Sequence, residues 1–594
     1  MRTSKTRGLT RRDFLRLGGE VALSAVILAA CQPKPAPTST PAPASTAAQA
    51  EPTKAQPTKA QPTVAPTAAP TKAAEAGGKC QIDWQPQSPP VPKKYSPPIK
   101  ISVIFGEPNL LPGDSITNNP MYNRIKGELG IEYQVHWQAS GDAAVQKLQA
   151  DIASGTLPDC FIPNSRVDLA KLIANDLVAD IKDIWERTAS PLLKEKKEYG
   201  KNTKMWDCVV RGDKLYGIAF QNGPAYNSDL LLWIRQDLLD KAGLKMPETL
   251  DELTNVMKTL KAQKLVKYGF RTPPWGIRYD MNPIFGCFGT EPYAWLKTKE
   301  GKLEYGAINP ASKEALAVFR SWYADGLMNP EWFVRADSSV DHCVSPGAWW
   351  WYQNELKKLE VANPGTKWVL IPHMIKGPKG LTGRQDSGDF GQALLFKKGL
   401  DPAKIEAVIN EFNWAIERHV NWVKYQQYGE YFNGSTFTEG YDWKFNEACD
   451  LVDGPAYALM WTYMWAIGSN YPNLCYPDYQ LDIFKEVRKW YDQDPATLNK
   501  AQKFLISDPA TKVSIEAYQF AVDTKDSIIW NEHYRAPGPI ESKYAGDLDK
   551  LLTEYYTGII AGTKPLDAFE EFVAAWKKRG GDETTAEVNA QYGL

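Results

Sequence analysis

The sequence predicts an α/β protein, and three observations point there. Ile99, Ile101, Val103 and Phe105 alternate with Lys100 and Ser102, the two-residue period of a half-buried strand. Asp142 to Ser154 predicts a helix, with Val145, Leu148 and Ile152 on one face and Gly155 placed to end it. Leu157 to Asn164 then predicts a short buried strand, and strand, helix, strand in succession argues for layered α/β packing.

In chain order, the first element is a leader. Residues 1 to 20 carry Arg2, Lys5, Arg7, Arg11, Arg12 and Arg16, charge that stays on the cytoplasmic side while the next segment enters the bilayer. Val21 to Ala30 is that segment; at about ten residues it suits a signal-peptide core, since a spanning helix needs about twenty. Thr10-Arg11-Arg12-Asp13-Phe14-Leu15 resembles the twin-arginine export signal, an address read by a receptor in bacteria and archaea. Leu28-Ala29-Ala30-Cys31 resembles a bacterial lipobox, which implies that Cys31 receives lipid and becomes the mature first residue. The alternative is an uncleaved amphipathic helix with a chance cysteine; the signal-peptide order of charge, apolar core and small residues weighs against it. Residues 32 to 79 are rich in Pro, Thr and Ala and nearly devoid of large apolar side chains, so they form no core. Proline favours extended conformations, and even as a flexible coil the segment reaches about 40 Å, a linker that holds the globular part off a membrane.

Beyond the linker, the first predicted strand runs into Gly106-Glu107-Pro108-Asn109, a loop at a strand's carboxyl end, where open α/β sheets place ligands. Thr249 and Glu252 form a capping box ahead of the stripe Leu253, Val256, Met257 and Leu260. Ile405, Val408, Ile409, Phe412 and Ile416 repeat the helical stripe, as do Phe569, Phe572, Val573 and Trp576. These stripes are core and carry no function.

The bulk left after the leader and linker, roughly 500 residues, suffices for two or three domains. With 69 Lys and Arg against 70 Asp and Glu, the chain has no electrostatic footprint for nucleic acid. Seven cysteines follow Cys31 (Cys80, Cys160, Cys208, Cys287, Cys343, Cys449 and Cys475). Their wide spacing suggests neither a zinc site nor a dense disulfide framework; one or two disulfides suit an exported chain, with pairing open. The five histidines, His136, His342, His373, His419 and His533, are scattered, so no metal and no cofactor are expected. Aromatic content is unusual, with 21 Trp and 28 Tyr, many in clusters such as Trp349-Trp350-Trp351-Tyr352 and Tyr441-Asp442-Trp443. An indole face suits the C–H face of a pyranose, and Asp, Asn, Gln and Arg bind its hydroxyls, although for any single Trp a place in the core is the better expectation.

Several segments, in order, resemble the extracellular solute-binding proteins of family 1, the lipoprotein receptors of ABC-type sugar importers. Ser154-Gly155-Thr156-Leu157-Pro158-Asp159 matches the family's SGxLPD step, and Gly212 to Ile218 resembles its GKxYGIP strand. Ile234 to Leu244 with Pro247 to Leu253 is similar to "IRKDWLDKLGL…PxTLDEL", the most specific match. Ala315 to Phe333 resembles the "WYxEGLIDPEF" helix end, Gly377 to Gly380 the GPxG turn, and Tyr555 to Gly562 the family's tail. One departure is the loop Lys258 to Gly269: relatives that bind acidic oligosaccharides often carry a calcium-like site there, whereas this lysine-rich loop lacks the oxygen ligands.

The resemblance implies a type II, two-lobed periplasmic-binding-protein-like fold, with hinge crossings between the lobes and a helical C-terminal segment. Expected boundaries are 95–225 plus 383–433 for the first lobe, and 226–382 plus 434–594 for the second lobe with the C-terminal helices. The implied function is noncovalent capture of a sugar or oligosaccharide in the interlobe cleft and delivery to the permease subunits of an ABC importer. The protein would be an exported monomer, lipid-anchored to the outer face of the cytoplasmic membrane. From the strand-end loops of the first lobe the ligand-binding candidates are Glu107, Asn109 and Asn164; at the first crossing they are Gln221, Asn222 and Tyr226. Trp275, Tyr279, Trp349 and Trp350 are candidate stacking platforms from the second lobe. Arg384 and Asp386 lie at the return crossing, with Tyr441 and Trp443 beyond it. Two alternatives stay open: the same fold binding a peptide or other solute, and a surface glycoside hydrolase using paired carboxylates.

Overall fold

A computed structural model describes residues 80–107, 110–163, 165–202, 205–220, 229–272, 276–332, 340–385, 392–428, 438–455 and 479–594. The leader, the lipobox with Cys31 and the linker lie outside them. In chain order the elements that build the two sheets and their cover are β1 (Ile99–Phe105), α1 (Pro120–Leu129), β2 (Ile131–Gln138), α2 (Gly141–Ser154), β3 (Cys160–Phe161), α3 (Arg166–Ala174), β4 (Ile218–Phe220), β5 (Leu231–Arg235), α4 (Leu250–Ala262) and α5 (Pro310–Ala324). They continue with β6 (Val344–Gly347), β7 (Trp368–Leu370), β8 (Arg384–Gln385), β9 (Gln392–Phe396), α6 (Pro402–Val420), α7 (Tyr479–Tyr491), α8 (Pro509–Asp523), β10 (Ile528–Ile529), α9 (Pro539–Ile560), α10 (Ala568–Trp576) and α11 (Asp582–Tyr592).

The first sheet has the order β2-β1-β3-β9-β4. β1 runs parallel to β2 and β3, while β9 runs antiparallel to β3 and to β4. The chain therefore returns to this sheet through β9 after a long excursion. The alternation of β1 is present as expected, with Ile101, Val103 and Phe105 buried. Gly155 ends α2 in the left-handed region at φ 72°, its N–H donating to Asp151 O, a conformation glycine adopts without a Cβ penalty. The predicted face of α2 is only partly core, because Leu148 is buried while Val145 is exposed. The strand predicted over Leu157 to Asn164 shrinks to Cys160–Phe161. Just before it, Asp159 accepts from Ser102 N–H (2.9 Å) and ion-pairs with Lys397 (2.9 Å) and Lys404 (2.6 Å). Burial raises this carboxyl, yet the two lysines and Ser102 hold it below its ordinary value. The SGxLPD aspartate is thus a tie between β1, the end of β9 and α6.

The second sheet is β6-β5-β7, antiparallel throughout. All five residues of β5 are buried. Leu232 and Ile234 face a core shared with α4, α5, α9 and α10, while Leu231 and Trp233 face another that contains Trp351, Trp368, α7 and α8. A strand's side chains alternate between faces, so one unbroken apolar run serves two interiors. The capping box of α4 forms as predicted: Glu252 N–H donates to Thr249 Oγ1 (3.2 Å) and Thr249 N–H to Glu252 Oε2 (3.2 Å). Leu253, Val256, Met257 and Leu260 are buried behind it.

The interior accordingly divides into three large clusters: one around the five-stranded sheet and α6, one on each side of β5. Cys80 and Cys449 are disulfide-bonded, and Cys160, Cys208, Cys287 and Cys343 are free and buried. Among the described residues no helix is long and apolar enough to cross a membrane.

Candidate functional site

Strand direction decides where a ligand could meet the five-stranded sheet. β1 and β3 are parallel, and β4 shares their direction because both it and β3 run opposite to β9. The carboxyl ends of β1 at Phe105, of β3 at Phe161 and of β4 at Phe220 therefore meet the start of β9 at Gln392 on one edge. Loops that follow carboxyl ends of strands are where open α/β sheets bind ligands. In the three-stranded sheet Gly347 pairs with Leu231, so the end of β6, leading into Trp349 and Trp350, lies beside the start of β5, where the chain arrives from the first sheet.

The two passages between sheets are tied together. Arg384, on β8, places Nε 2.5 Å from Oδ2 of Asp229, which precedes β5. Its Nη1 donates to Thr524 Oγ1 (2.7 Å) and its Nη2 to Ala521 O (2.5 Å). β8 also pairs in parallel with β10, and a Cβ on Gly286 would lie 2.0 Å from Gly383 O, so backbone packs on backbone here. Burial pulls the guanidinium below its ordinary pKa, and Asp229 opposes that shift.

Of the candidate ligand-binding residues, Asn109, Asn164, Gln221, Asn222, Tyr226, Trp275 and Asp386 lie outside the described residues. Glu107 is exposed at the end of β1, where its N–H donates to Ser140 Oγ (2.8 Å) and so fixes the loop to the start of α2. Tyr279 is half-buried beside the turn in which Gly276 N–H donates to Asp280 Oδ2 (2.6 Å). Trp349 is half-buried, held edge-on by Phe484 (5.0 Å) and Tyr518 (5.3 Å). Trp350, also half-buried, meets Trp351 edge-on at 5.8 Å. Tyr441 donates through Oη to Asp114 Oδ1 (3.1 Å), and burial together with that carboxylate raises its pKa.

Two candidates have other surroundings. Arg384 is 0% exposed, and the ion pair and hydrogen bonds just described engage its guanidinium; its place is in the tie between passages. Trp443 is 3% exposed and packs edge-on against Trp84 (5.5 Å) and Phe445 (5.3 Å), so it is a core residue. One residue that sequence reasoning missed is Trp530, 41% exposed directly after β10. Because Ile529 pairs with Gln385 in parallel, Trp530 directly follows the end of the β8–β10 pairing. Its only sequence signal was an aromatic outside any helical stripe, next to Asn531.

Two further ionisable groups, His533 and Lys261, are structural. His533 is buried, with Nε2 2.9 Å from Glu541 Oε2; burial lowers its pKa against the pull of that carboxylate. In the lysine-rich loop after α4, Lys261 Nζ donates to the carbonyls of Gly326 (2.6 Å) and Lys267 (3.3 Å). An ammonium thus holds that loop. Among the described residues no group of three or more His, Cys, Asp or Glu is placed to hold a metal.

Two sheets, joined by paired passages and flanked by a helical C-terminal segment, define a type II, two-lobed binding-protein fold. The alginate-binding protein AlgQ2 has the same fold: the superposition covers 84% of this chain and 99% of that one, with a TM-score of 0.57 at 16% identity. Residues 125–342 match the family model of the bacterial extracellular solute-binding proteins. Across 83% of its length the chain is 22% identical to the lipoprotein LipO of Bacillus subtilis, covering 92% of that protein. It is 24% identical over 328 residues to the fructooligosaccharide ABC transporter substrate-binding protein FusA of Streptococcus pneumoniae, which is 51% of this chain and 56% of that one.

Proposed function

We propose that this chain is the substrate-binding lipoprotein of an ABC importer, which captures an extracellular sugar or oligosaccharide between its lobes and delivers it unchanged to a membrane permease. The observation that carries this reading is the convergence of the β1, β3 and β4 ends and the β9 start on the edge from which both passages leave. The relatives support it: FusA serves a fructooligosaccharide transporter, AlgQ2 binds alginate, and neither is named as an enzyme. Residues contributed by both lobes would give a ligand differential affinity for a closed form, and the population would shift toward closure on binding. Glu107, Asn109, Asn164, Gln221, Asn222, Tyr226 and Asp386 are the proposed polar contacts, with Trp275, Tyr279, Trp349, Trp350, Tyr441 and Trp530 as aromatic ones. Lobe boundaries near 225 and 383 go with this assignment.

The test is thermal unfolding of the purified protein against a panel of oligosaccharides and peptides, with chromatography of each ligand afterwards. A sugar that raises the melting temperature and is recovered intact is expected, since binding the native state alone stabilises it. Cleavage of the sugar, or stabilisation by peptides alone, would overturn the reading. The anchor is tested separately. Cys31→Ala is expected to move the protein from the membrane fraction to the soluble one, and retention on the membrane would remove Cys31 as the lipid site.

A further inference from the structure

None of the aromatic candidates lines a cavity of about 670 Å³ whose walls come from both proposed lobes. From the first lobe come Ala170 and Ile173 of α3 and the turn Asp207 to Gly212; from the second comes Arg535 to Pro539, the segment that leads into α9. The floor is largely apolar. Its charge is not balanced. Arg211 and Arg535 line the cavity, and Arg166, the first residue of α3, donates through Nη2 to Arg535 O at its head.

The carboxylates nearby are mostly committed. Glu541 is engaged by His533 and also opposes the burial of the Arg166 charge, and Glu587 accepts from the N–H groups of Ile540 (3.0 Å) and Glu541 (2.7 Å) at the start of α9. Asp207 lines the cavity as its one acidic residue. None of the three arginines has a carboxylate at ion-pair distance among the described residues. Arg211 uses Nη1 on the carbonyls of Asp207 (3.2 Å), Cys208 (3.2 Å) and Val210 (2.6 Å), while Arg535 stacks its guanidinium 4.7 Å from the Tyr592 ring centre. Burial lowers the pKa of Arg211, and the like charges of Arg535 and Arg166 lower it further, so the guanidiniums repel one another across this space. Like charges brought together in a partly enclosed space are relieved by an anion, and the guanidinium fork fits planar oxyanions.

We propose that this cavity is an oxyanion site that spans the two lobes and takes a carboxylate or sulfate group. The group arrives either as a free anion or on an acidic sugar residue whose ring lies on the apolar floor. The second source rests on the sugar-capture reading and the first does not.

Calorimetry on the purified full-length protein separates them, using sodium sulfate, trigalacturonate and the carboxyl-reduced, neutral form of that trisaccharide. Expected are binding of sulfate or trigalacturonate, weakening at high salt, and a loss of about tenfold or more in Arg535→Gln. Arg535 is exposed, so this variant should fold; Arg211→Gln provides the second. Failure of both anions to bind the wild type, or unchanged affinity for them in both variants, would overturn the inference. Binding of the neutral trisaccharide alone would do the same while leaving sugar capture standing. Binding of sulfate but of neither trisaccharide would uphold the cavity without supporting sugar as its cargo.

Discussion

Glu411 sits in α6, wholly inside the first lobe, where Tyr133 Oη donates to its Oε2. Burial pushes its carboxyl up to about 8, against the opposing pull of Tyr133 and the charge of Arg418. The folded state therefore holds a proton that the unfolded chain releases near its ordinary value of 4.5. Below about 4.5 both states are protonated and above about 8 both are ionised, so stability falls as pH rises between them. Glu411→Gln is expected to flatten that part of the profile, so its melting temperature gains on the wild type as pH rises from 5 to 8. Parallel profiles for the two proteins would contradict the assignment. Tryptophans give the complementary contrast. Trp443→Ala should cost about 3–5 kcal/mol in urea unfolding, as loss of a buried ring does. Trp350→Ala should leave stability nearly intact and weaken sugar binding roughly tenfold in calorimetry. The sequence marked both as candidates because both lie in aromatic clusters; which ring is enclosed depends on Trp84, hundreds of positions away from Trp443.

Local signals found helices better than strands. The capping box at Thr249 and Glu252 and the stripe behind it place α4 almost to the residue, because cap, stripe and packing all agree. Thr249→Ala should lower stability by about 1 kcal/mol in urea unfolding, while Thr249→Ser should preserve it. The stripe of α6 was equally visible, but the helix is enclosed on more than one side: Asn410, Glu411, Asn413 and Arg418 are buried with the apolar residues. Amphipathic pattern cannot reveal that, since it assumes one wet face. The strand before Asn164 was drawn too long because an apolar run carries no register. The pairing begins only at Cys160, after Asp159 and its lysines.

In the molecule as a whole, the two lobes could be read only through family resemblance, since no local pattern predicts that the chain leaves a sheet after β4 and rejoins it at β9. The tie between the two passages is equally hidden, since nothing local in the sequence pairs Arg384 with Asp229. Breaking this enclosed ion pair leaves an uncompensated charge, so Arg384→Ala should cost about 3–5 kcal/mol in urea unfolding. Replacing both partners with apolar residues should cost less than the two single changes added together, which a double-mutant cycle would measure. β5 imposes a further constraint on how this chain can vary over evolutionary time. Its odd-numbered members belong to one interior and its even-numbered ones to the other, so a one-residue insertion or deletion there would transpose tryptophan and isoleucine between compartments and damage both together. A point substitution in that segment acts on one interior; a change in its length acts on both.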